Sequence, residues 1–460
     1  MPPWHPPYTR VGPELSRATW GRGAPGVPTG GVLFDATEAV ASTTPSGAAL
    51  DQGTVTPAFN QSRWVAALDD GSGVVVVAWM QKGSPSSSGG DVLVRVRVGG
   101  AWEWLDLYAL GVLSSREVYG SPAVAAVGSR VLFAVRIGRS GDAVKTLVAF
   151  ELERDAGTGA WSVVMGPVTS ASTVSADVPS VCYLGGVEPG VAFVGTAVGT
   201  ATKKTTPPAD VYLWLPAAGD VLQVTDAAGA PDGGYAYLVA VESDADRVWL
   251  AWSWYQGERV TDGAETRLGW FALDSSGAPN PASSFEQTIA GWATPAWDPG
   301  LAIVPDGTVL VGWQEQTATP GIYAVHLGRF DSSGVGASAE VSDFSASNRR
   351  IAFFPSIVAD EDTALVVWEG KSPNFAPPAD VDGAVGRMAA VGSAPLTTAD
   401  YDRFYASDKT RNQTLTWPGL WRGADGSVHL VWLETNDAKD DKLDGVAGTC
   451  VVRYAQGRLG

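Results

Sequence analysis

The clearest pattern along the chain is a run of β-branched and aliphatic residues that ends in tryptophan. The stretch DGTVLVGW at 306–313 recurs almost unchanged as DGSVHLVW at 425–432. Each copy opens with Asp-Gly, where glycine supplies the positive φ of a tight hairpin turn, and continues as a buried strand. Related runs close on other tryptophans, and the full set is Trp79, Trp252, Trp313, Trp368 and Trp432. A large apolar side chain at the same strand end in each unit predicts packing between neighbouring units.

A second apolar segment precedes each of these runs and usually opens with proline. The opening prolines recur at intervals of about sixty residues, a period typical of a propeller or a solenoid. They are Pro57, Pro122, Pro179, Pro231, Pro295, Pro355 and Pro418. Each interval has room for four strands, as in the fifth unit at 297–304, 308–313, 322–330 and 337–342. Four antiparallel strands repeated radially predict an all-β fold, a seven-bladed β-propeller.

The two ends of the repeat differ from the middle. The last unit has a third strand at 446–455 and no fourth, whereas 30–39 reads as a strand that precedes the first full unit. We expect 30–39 to be the missing outer strand of the seventh blade, because ring closure removes exposed strand edges. The chain then divides into an arm at 1–29 and a propeller at 30–460, with blades that start near the seven prolines.

The arm is rich in proline and glycine, yet it also carries large aromatic side chains. These are Trp4, Tyr8 and Trp20. A solvated linker seldom holds so many aromatics, so we predict that the arm docks on its own propeller or on a partner.

The repeating phrase has a counterpart in known proteins. Proline, Asp-Gly, an apolar run, tryptophan and a third strand that ends as LGRFDSSG at 327–334 resemble the divergent blade repeats of bacterial and phage surface seven-bladed β-propellers. The resemblance covers 30–460 and implies the fold, but it leaves the function open because propellers host unrelated activities. The S-x-D-x-G-x-x-W box of sialidase-type propellers is absent from the sequence.

The charge and hydropathy of the chain limit the classes of partner that it can bind. With 49 acidic and 31 basic residues the formal net charge is −18, which disfavours binding to a nucleic-acid backbone. No apolar run approaches the roughly 18 residues of a membrane-spanning helix. The opening MPPWHPPYTR lacks the apolar core of a signal peptide. We therefore expect an extracellular or particle-associated protein without a recognisable signal, with a cytoplasmic location as the alternative.

Catalytic motifs are not evident. The only histidines are His5, His326 and His429, and neither H-E-x-x-H nor G-x-S-x-G occurs. This predicts no catalytic residue, no metal site and no cofactor. Acidic loops at 437–445 and 378–383 could hold Ca²⁺ through carboxylate and carbonyl oxygens, although neither has the spacing of a defined calcium loop.

Arginines and aromatics mark the predicted binding face. Arginines precede an opening proline by five to seven residues in three units, at Arg116, Arg349, Arg350 and Arg411. Equivalent positions converge on the mouth of a propeller, so we predict recognition of a carboxylate, sulfate or phosphate there. The alternative is that these arginines pair with nearby acids or stack on aromatics. Candidate surfaces for stacking a sugar ring are Tyr119, Trp254, Tyr255 and Trp292.

Three functions fit these observations. The first is a non-enzymatic binding or structural propeller of a surface or virion-type assembly, such as a tail, decoration or adhesion component. Its arm would anchor it to protein partners, and the face that carries the long loops at 80–91, 253–265 and 369–383 would meet a glycan or a protein. The second is a sialidase-like enzyme that acts on glycans. The third is an intracellular scaffold for protein interactions.

Overall fold

The computed structural model describes the chain in segments, and every regular element in those segments is a β-strand. The described residues are 33–34, 38–50, 55–56, 64–82, 90–114, 117, 119–138, 144–170, 174–198, 209–227, 234–256, 263–291, 294–319, 322–342, 351–361, 363–371, 382–389, 401–405, 414–435 and 450–458. The predicted arm at 1–29 lies outside them.

The strands are short and evenly spread, as a repeat of four-stranded units requires. In chain order they are β1 Leu33–Phe34, β2 Glu38–Ala41, β3 Val55–Thr56, β4 Val65–Ala67, β5 Val75–Lys82, β6 Gly90–Val98, β7 Ala101–Trp104, β8 Tyr119–Val127, β9 Arg130–Ile137, β10 Thr146–Arg154, β11 Trp161–Thr169, β12 Val174–Leu184, β13 Glu188–Ala197, β14 Asp210–Leu215, β15 Asp220–Gln223, β16 Gly234–Ser243, β17 Arg247–Gln256, β18 Ala264–Leu273, β19 Pro279–Ala290, β20 Ala296–Ile303, β21 Val309–Gln316, β22 Tyr323–Phe330, β23 Gly336–Glu340, β24 Ile351–Ala359, β25 Thr363–Lys371, β26 Asp382–Ala389, β27 Tyr401–Tyr405, β28 Thr414–Arg422, β29 Ser427–Thr435 and β30 Cys450–Arg458.

The strands form antiparallel sheets in which neighbours in the chain are neighbours in space. Four sheets contain four strands each, namely β12 to β15, β16 to β19, β20 to β23 and β24 to β27. A nine-stranded sheet holds β3 to β7 and β8 to β11, two sets that meet at the single pair Gly90 and Tyr119. The all-β, propeller-type arrangement predicted from the sequence is confirmed by this topology.

The last sheet combines strands from both ends of the described chain. It contains β28, β29 and β30, and both β1 and β2 pair antiparallel with β30. Glu38 of β2 stands opposite Tyr454 of β30. The segment 30–39 therefore contributes strand residues to the last sheet, where the sequence expected it.

Burial follows the order of strands within a sheet. Middle strands such as β14 are buried along their whole length, whereas last strands such as β11 and β15 are largely exposed. The closing tryptophans are all at most 2% exposed, at Trp79, Trp252, Trp313, Trp368 and Trp432. Their prediction as packing residues is confirmed. The Asp-Gly turns are confirmed as well, because Gly307 and Gly426 have φ of 81° and 77°.

The first and last sheets share one hydrophobic core. Val65 and Trp79 pack in the same cluster as Val431 and Tyr454. Above this cluster the Glu38 carboxylate accepts two hydrogen bonds from the Arg97 guanidinium, at 2.9 and 2.6 Å. It also accepts one from the Trp102 indole at 2.9 Å. The bidentate pair joins β2, which belongs to the last sheet, to β6 of the first sheet.

A bulge recurs near the start of the first strand in successive sheets. The ladder shifts register in β8, β12, β16, β20, β24 and β28. Val178, Leu238 and Asp298 occupy this bulge with φ of 47°, 56° and 54°. Proline follows at most of these bulges, where the interrupted ladder needs no N–H donor.

This bulge refines the positions of the predicted opening prolines. In β20 the bulge proline is Pro299, whereas Pro295 precedes the strand. In β16 the position after the bulge residue is Val239, and Pro231 lies outside the described residues.

Candidate functional site

Titratable side chains gather at one end of five successive strand sets. The beginning of each first strand and the end of each second strand lie at this end, because the two strands are antiparallel. We call the following residues the polar arc: Lys82, Arg136, Lys145, Asp177, Tyr235, Tyr237, Tyr255 and Asp298.

Asp298 is a carboxyl group buried in the bulge of β20. The residue is 3% exposed, and burial raises the pKa of its carboxyl group to about 8. Its backbone N–H donates to the Ser253 hydroxyl of the preceding sheet at 3.0 Å, which fixes the bulge across the gap between sheets. The equivalent bulge residues in β12 and β16 are Val178 and Leu238. At neutral pH Asp298 therefore retains its proton, in a place where β12 and β16 have an aliphatic side chain.

Three tyrosines cluster on the preceding sheet, and two of them, Tyr237 and Tyr255, lie within electrostatic range of Asp298. The Tyr255 ring centroid lies 6.4 Å from that of Tyr235 and 5.9 Å from that of Tyr237. Burial and then Asp298 raise the pKa of both Tyr255 and Tyr237, and Asp177 adds to the effect on Tyr237. The phenols therefore stay protonated, and Tyr237 lies within electrostatic range of both carboxyl groups.

The Tyr255 hydroxyl is the polar atom of this group that lacks a partner. It is buried and makes no hydrogen bond to a described residue, although the Ser253 hydroxyl approaches it and slightly opposes the rise of its pKa. A buried phenol without a partner is costly, and a ligand hydroxyl is one group that would satisfy it.

Asp177 is the ionised carboxylate of the arc. Its two oxygens accept hydrogen bonds from Arg136 Nη1 and Lys145 Nζ, each at 2.7 Å. Burial acts to raise the pKa of Asp177, but the two cations outweigh it and the pKa is lowered. The side chain is nevertheless 34% accessible.

Lys82 completes the arc at the end of β5. Burial and then the charge of Arg136 lower the pKa of its ammonium group. No carboxylate of the described residues forms an ion pair with Lys82. The carboxylate opposite the neighbouring Gln81 is Asp91, which instead accepts a hydrogen bond from the Tyr108 hydroxyl at 3.0 Å.

The arc therefore offers a neutral acid, an ionised carboxylate and cations at one end of the sheets. Asp298 can donate a proton at neutral pH, whereas Asp177 can accept one or stabilise positive charge. Two carboxyl groups whose surroundings shift their pKa values in opposite directions are the arrangement that general acid–base chemistry requires.

The structure places the predicted site residues in different surroundings. Tyr255 belongs to the polar arc. Trp254 is 2% exposed, packs against Gly234 and stacks under the Arg267 guanidinium at 4.4 Å, so it offers no face to a sugar. Tyr119 is also buried, and its hydroxyl bonds the backbone of Ser114. Both rings are structural. The other candidates lie outside the described residues: Arg116, Trp292, Arg349, Arg350, Arg411, Trp4, Tyr8 and Trp20.

Sequence reasoning missed Asp298, Asp177, Arg136 and Lys82. One signal was available, because WDPG at 297–300 puts a carboxyl group before the bulge proline where VPSV at 178–181 has an aliphatic residue. The cations carried no such mark.

The remaining sequence features to be located are metal-binding groups, membrane-spanning helices, the acidic loops and the cysteines. Within it, no group of three or more histidine, cysteine, aspartate or glutamate residues is arranged to hold a metal, and no helix is long and apolar enough to cross a membrane. The acidic loop at 437–445 and most of that at 378–383 lie outside the described residues. Cys182 and Cys450 are both buried.

His429 lies at the opposite end of the last sheet, away from the arc. Its Nε2 lies 2.8 Å from the Ser427 hydroxyl and its Nδ1 lies 2.7 Å from the Tyr454 hydroxyl. Burial lowers the pKa of His429 to about 4, so the ring is neutral at pH 7. The residue is 3% exposed, and this buried chain of hydrogen bonds serves packing.

Comparison with known proteins gives structural likeness only. No family model and no curated relative matches the chain. The polysaccharide lyase Uly1 is 10% identical with a TM-score of 0.46, over 88% of this chain and 91% of that chain. An α-L-arabinofuranosidase from Fusarium graminearum is 10% identical with a TM-score of 0.42, over 89% and 97%. A sialidase from Trypanosoma rangeli is 11% identical with a TM-score of 0.41, over 79% and 57%.

These comparisons contradict the first function predicted from the sequence. That prediction was a non-enzymatic component of a surface or virion-type assembly, whereas the similar structures are enzymes that act on glycans. The assembly function is therefore set aside. Because these TM-scores are below 0.5, the activity is argued below from the polar arc alone.

Proposed function

We propose that the chain is a glycan-active enzyme that cleaves a glycosidic bond at the polar arc. The observation that carries the proposal is the pair of carboxyl groups with opposite pKa shifts, Asp298 raised to about 8 and Asp177 lowered. Hydrolysis of a glycosidic bond uses such a pair, one carboxylic acid to protonate the leaving oxygen and one carboxylate to act on the other side of the sugar.

The roles follow from the environments. Asp298 donates its proton to the glycosidic oxygen as the bond breaks, because burial keeps it neutral at the pH of the reaction. Asp177, held by Arg136 and Lys145, is the carboxylate that stabilises the developing positive charge or activates water.

The proposal includes a ring of seven blades. The two strand sets of the nine-stranded sheet touch at one residue pair and count as two blades, β3 to β7 and β8 to β11. The four four-stranded sheets follow, and β28 to β30 with β1 and β2 form the seventh. Support comes from the core that the first and last sheets share. In such a ring the first strands line the centre, and the arc surrounds its mouth.

The test is turnover of a glycan panel by the purified chain, measured as new reducing ends. Wild type should cleave at least one member, and Asp298→Asn and Asp177→Asn should each lose about 10²-fold or more of that rate. Asp220→Asn, which removes an exposed carboxylate on β15, should retain it. Cleavage by Asp298→Asn at the wild-type rate would contradict the assignment of the acid, and an inert wild type would refute the enzyme.

A further inference from the structure

The cations of the polar arc outnumber its ionised carboxylate. Arg136 and Lys145 both bond Asp177, Lys82 is a third cation of the arc, and Asp298 is neutral at pH 7. This excess is local, because the whole chain has a formal net charge of −18. A cationic pocket on an acidic protein concentrates anions at that pocket and repels them from the rest of the surface.

The three cations of the polar arc also differ in whether a carboxylate of the described residues bonds them. Arg136 and Lys145 each donate to Asp177, and the Arg136 guanidinium lies across Gly120, where a Cβ atom would stand 2.4 Å from Nε. Gly120 thus leaves the room that holds the guanidinium between two sheets. Lys82 has no such acceptor among the described carboxylates. Lys82 pairs with Gly90, Gly90 pairs with Tyr119 and Tyr119 pairs with Ile137, so the strand register brings Lys82 close to Arg136.

Asp177 is one negative charge shared by Arg136 and Lys145, so Lys82 is left beside a like charge without a counter-ion among the described residues. The natural occupant is therefore a negatively charged group of the ligand. A bound anion would favour the ammonium form of Lys82 and accept hydrogen bonds from it, as charge-assisted contacts do.

We propose that the substrate is an acidic glycan whose carboxylate or sulfate binds Lys82 beside Arg136, while the bond to be cleaved lies toward Asp177 and Asp298. The proposal rests on the glycan-cleaving function above and names its substrate class. Lys82 is then the residue that determines specificity for charge.

The experiment compares charged and neutral forms of one sugar. Trigalacturonate and its fully methyl-esterified form supply the carboxylate pair, and a sulfated galactan trisaccharide and its desulfated form supply the sulfate pair. Binding is measured calorimetrically with Asp298→Asn, which cannot turn the sugars over. At least one charged form should bind about tenfold or more tightly than its neutral counterpart, with affinity that falls as salt rises.

The matched variant is Lys82→Met, combined with Asp298→Asn. It should lose about tenfold affinity for the charged sugar and keep its affinity for the neutral one. Arg247→Met, at the opposite end of β17 and stacked on Trp270, removes the same charge elsewhere and should leave both affinities unchanged. The salt dependence needs no Lys82 variant, so a folding defect in that variant would not remove the test.

Equal affinity for the charged and neutral members of both pairs, or binding of none of the four, overturns the acidic substrate. So does a Lys82→Met variant that binds the charged sugar as tightly as its parent. Turnover of neutral glycans that needs Asp298 but not Lys82 would leave the proposed function standing and refute the substrate class. Charge-selective, Lys82-dependent binding without turnover of any glycan by wild type would support the anion site and refute the enzyme.

Discussion

Replacing Asp298 with asparagine should stabilise the folded protein at neutral pH. Asparagine has nearly the same shape, carries no charge at any pH and is one of the residues that tolerate the positive φ of 54° found here. The substitution removes a carboxyl group whose burial costs free energy as it ionises, and leaves the bulge and the N–H donated to Ser253 in place.

The magnitude follows from the shift in pKa. The folded state holds the Asp298 proton up to about pH 8, whereas the unfolded state releases it near 3.8. Between these values the folded state binds more protons, so the free energy of unfolding falls as pH rises. At pH 7 the loss is about 4 kcal/mol. For a chain of this length that corresponds to roughly 4 °C in melting temperature.

The assay is thermal unfolding of wild type and Asp298→Asn from pH 4 to pH 9. The melting temperatures of the two proteins should coincide near pH 4. The melting temperature of the variant should then rise steadily above that of wild type up to about pH 8, beyond which the difference is constant. Asp220→Asn, at an exposed position, should follow wild type throughout. A constant difference between Asp298→Asn and wild type across this range would refute the reasoning, because it would mean that Asp298 does not hold a proton above its ordinary range.

Three other predictions follow from described contacts. The kcat/KM of wild type should fall as pH rises through about 8, where Asp298 loses its proton, and a flat profile to pH 9 would exclude it as the acid. Because the pKa of His429 is lowered to about 4, only the unfolded state binds its proton below about 6.5, so this residue costs about 3 kcal/mol of stability as pH falls to 4. The free energy of unfolding of wild type minus that of His429→Gln should show that loss as the pH falls. Parallel curves of unfolding free energy against pH for the two proteins would contradict it. Gly234→Ala should destabilise by about 2 kcal/mol or more, since its Cβ would stand 1.9 Å from the Trp254 ring, while Gly166→Ala, with open space around it, should stay within about 1 kcal/mol of wild type in denaturant melts. Equal stability of these two variants would refute the close packing of Trp254.

The fold was predictable from local chemistry. The Asp-Gly turn at Gly307 and the closing tryptophan at Trp313 depend only on residues within one hairpin, so the pattern survives in the sequence. The candidate site was not predictable in this way, because the charge and burial of each of its side chains depend on residues of another sheet. Asp177 resembles any surface aspartate until Arg136 and Lys145 of the preceding sheet face it. Trp254 was predicted to stack on a sugar ring, and that prediction missed its burial for the same reason. Its contacts with Gly234 and Arg267 cannot be read from its own strand.

The sheet that joins β2 to β30 has a consequence for how the chain comes to be folded. Glu38 pairs with Tyr454, so this sheet unites residues that are far apart in the sequence. On the ribosome β2 is made long before β30, while the intermediate sheets complete themselves from neighbouring strands. Closing this sheet is therefore a late, long-range step, and a nascent chain that stalls before β30 keeps an open strand edge available for aggregation. A circular permutant that joins β30 to β2 directly would turn this late, long-range pairing into a local hairpin.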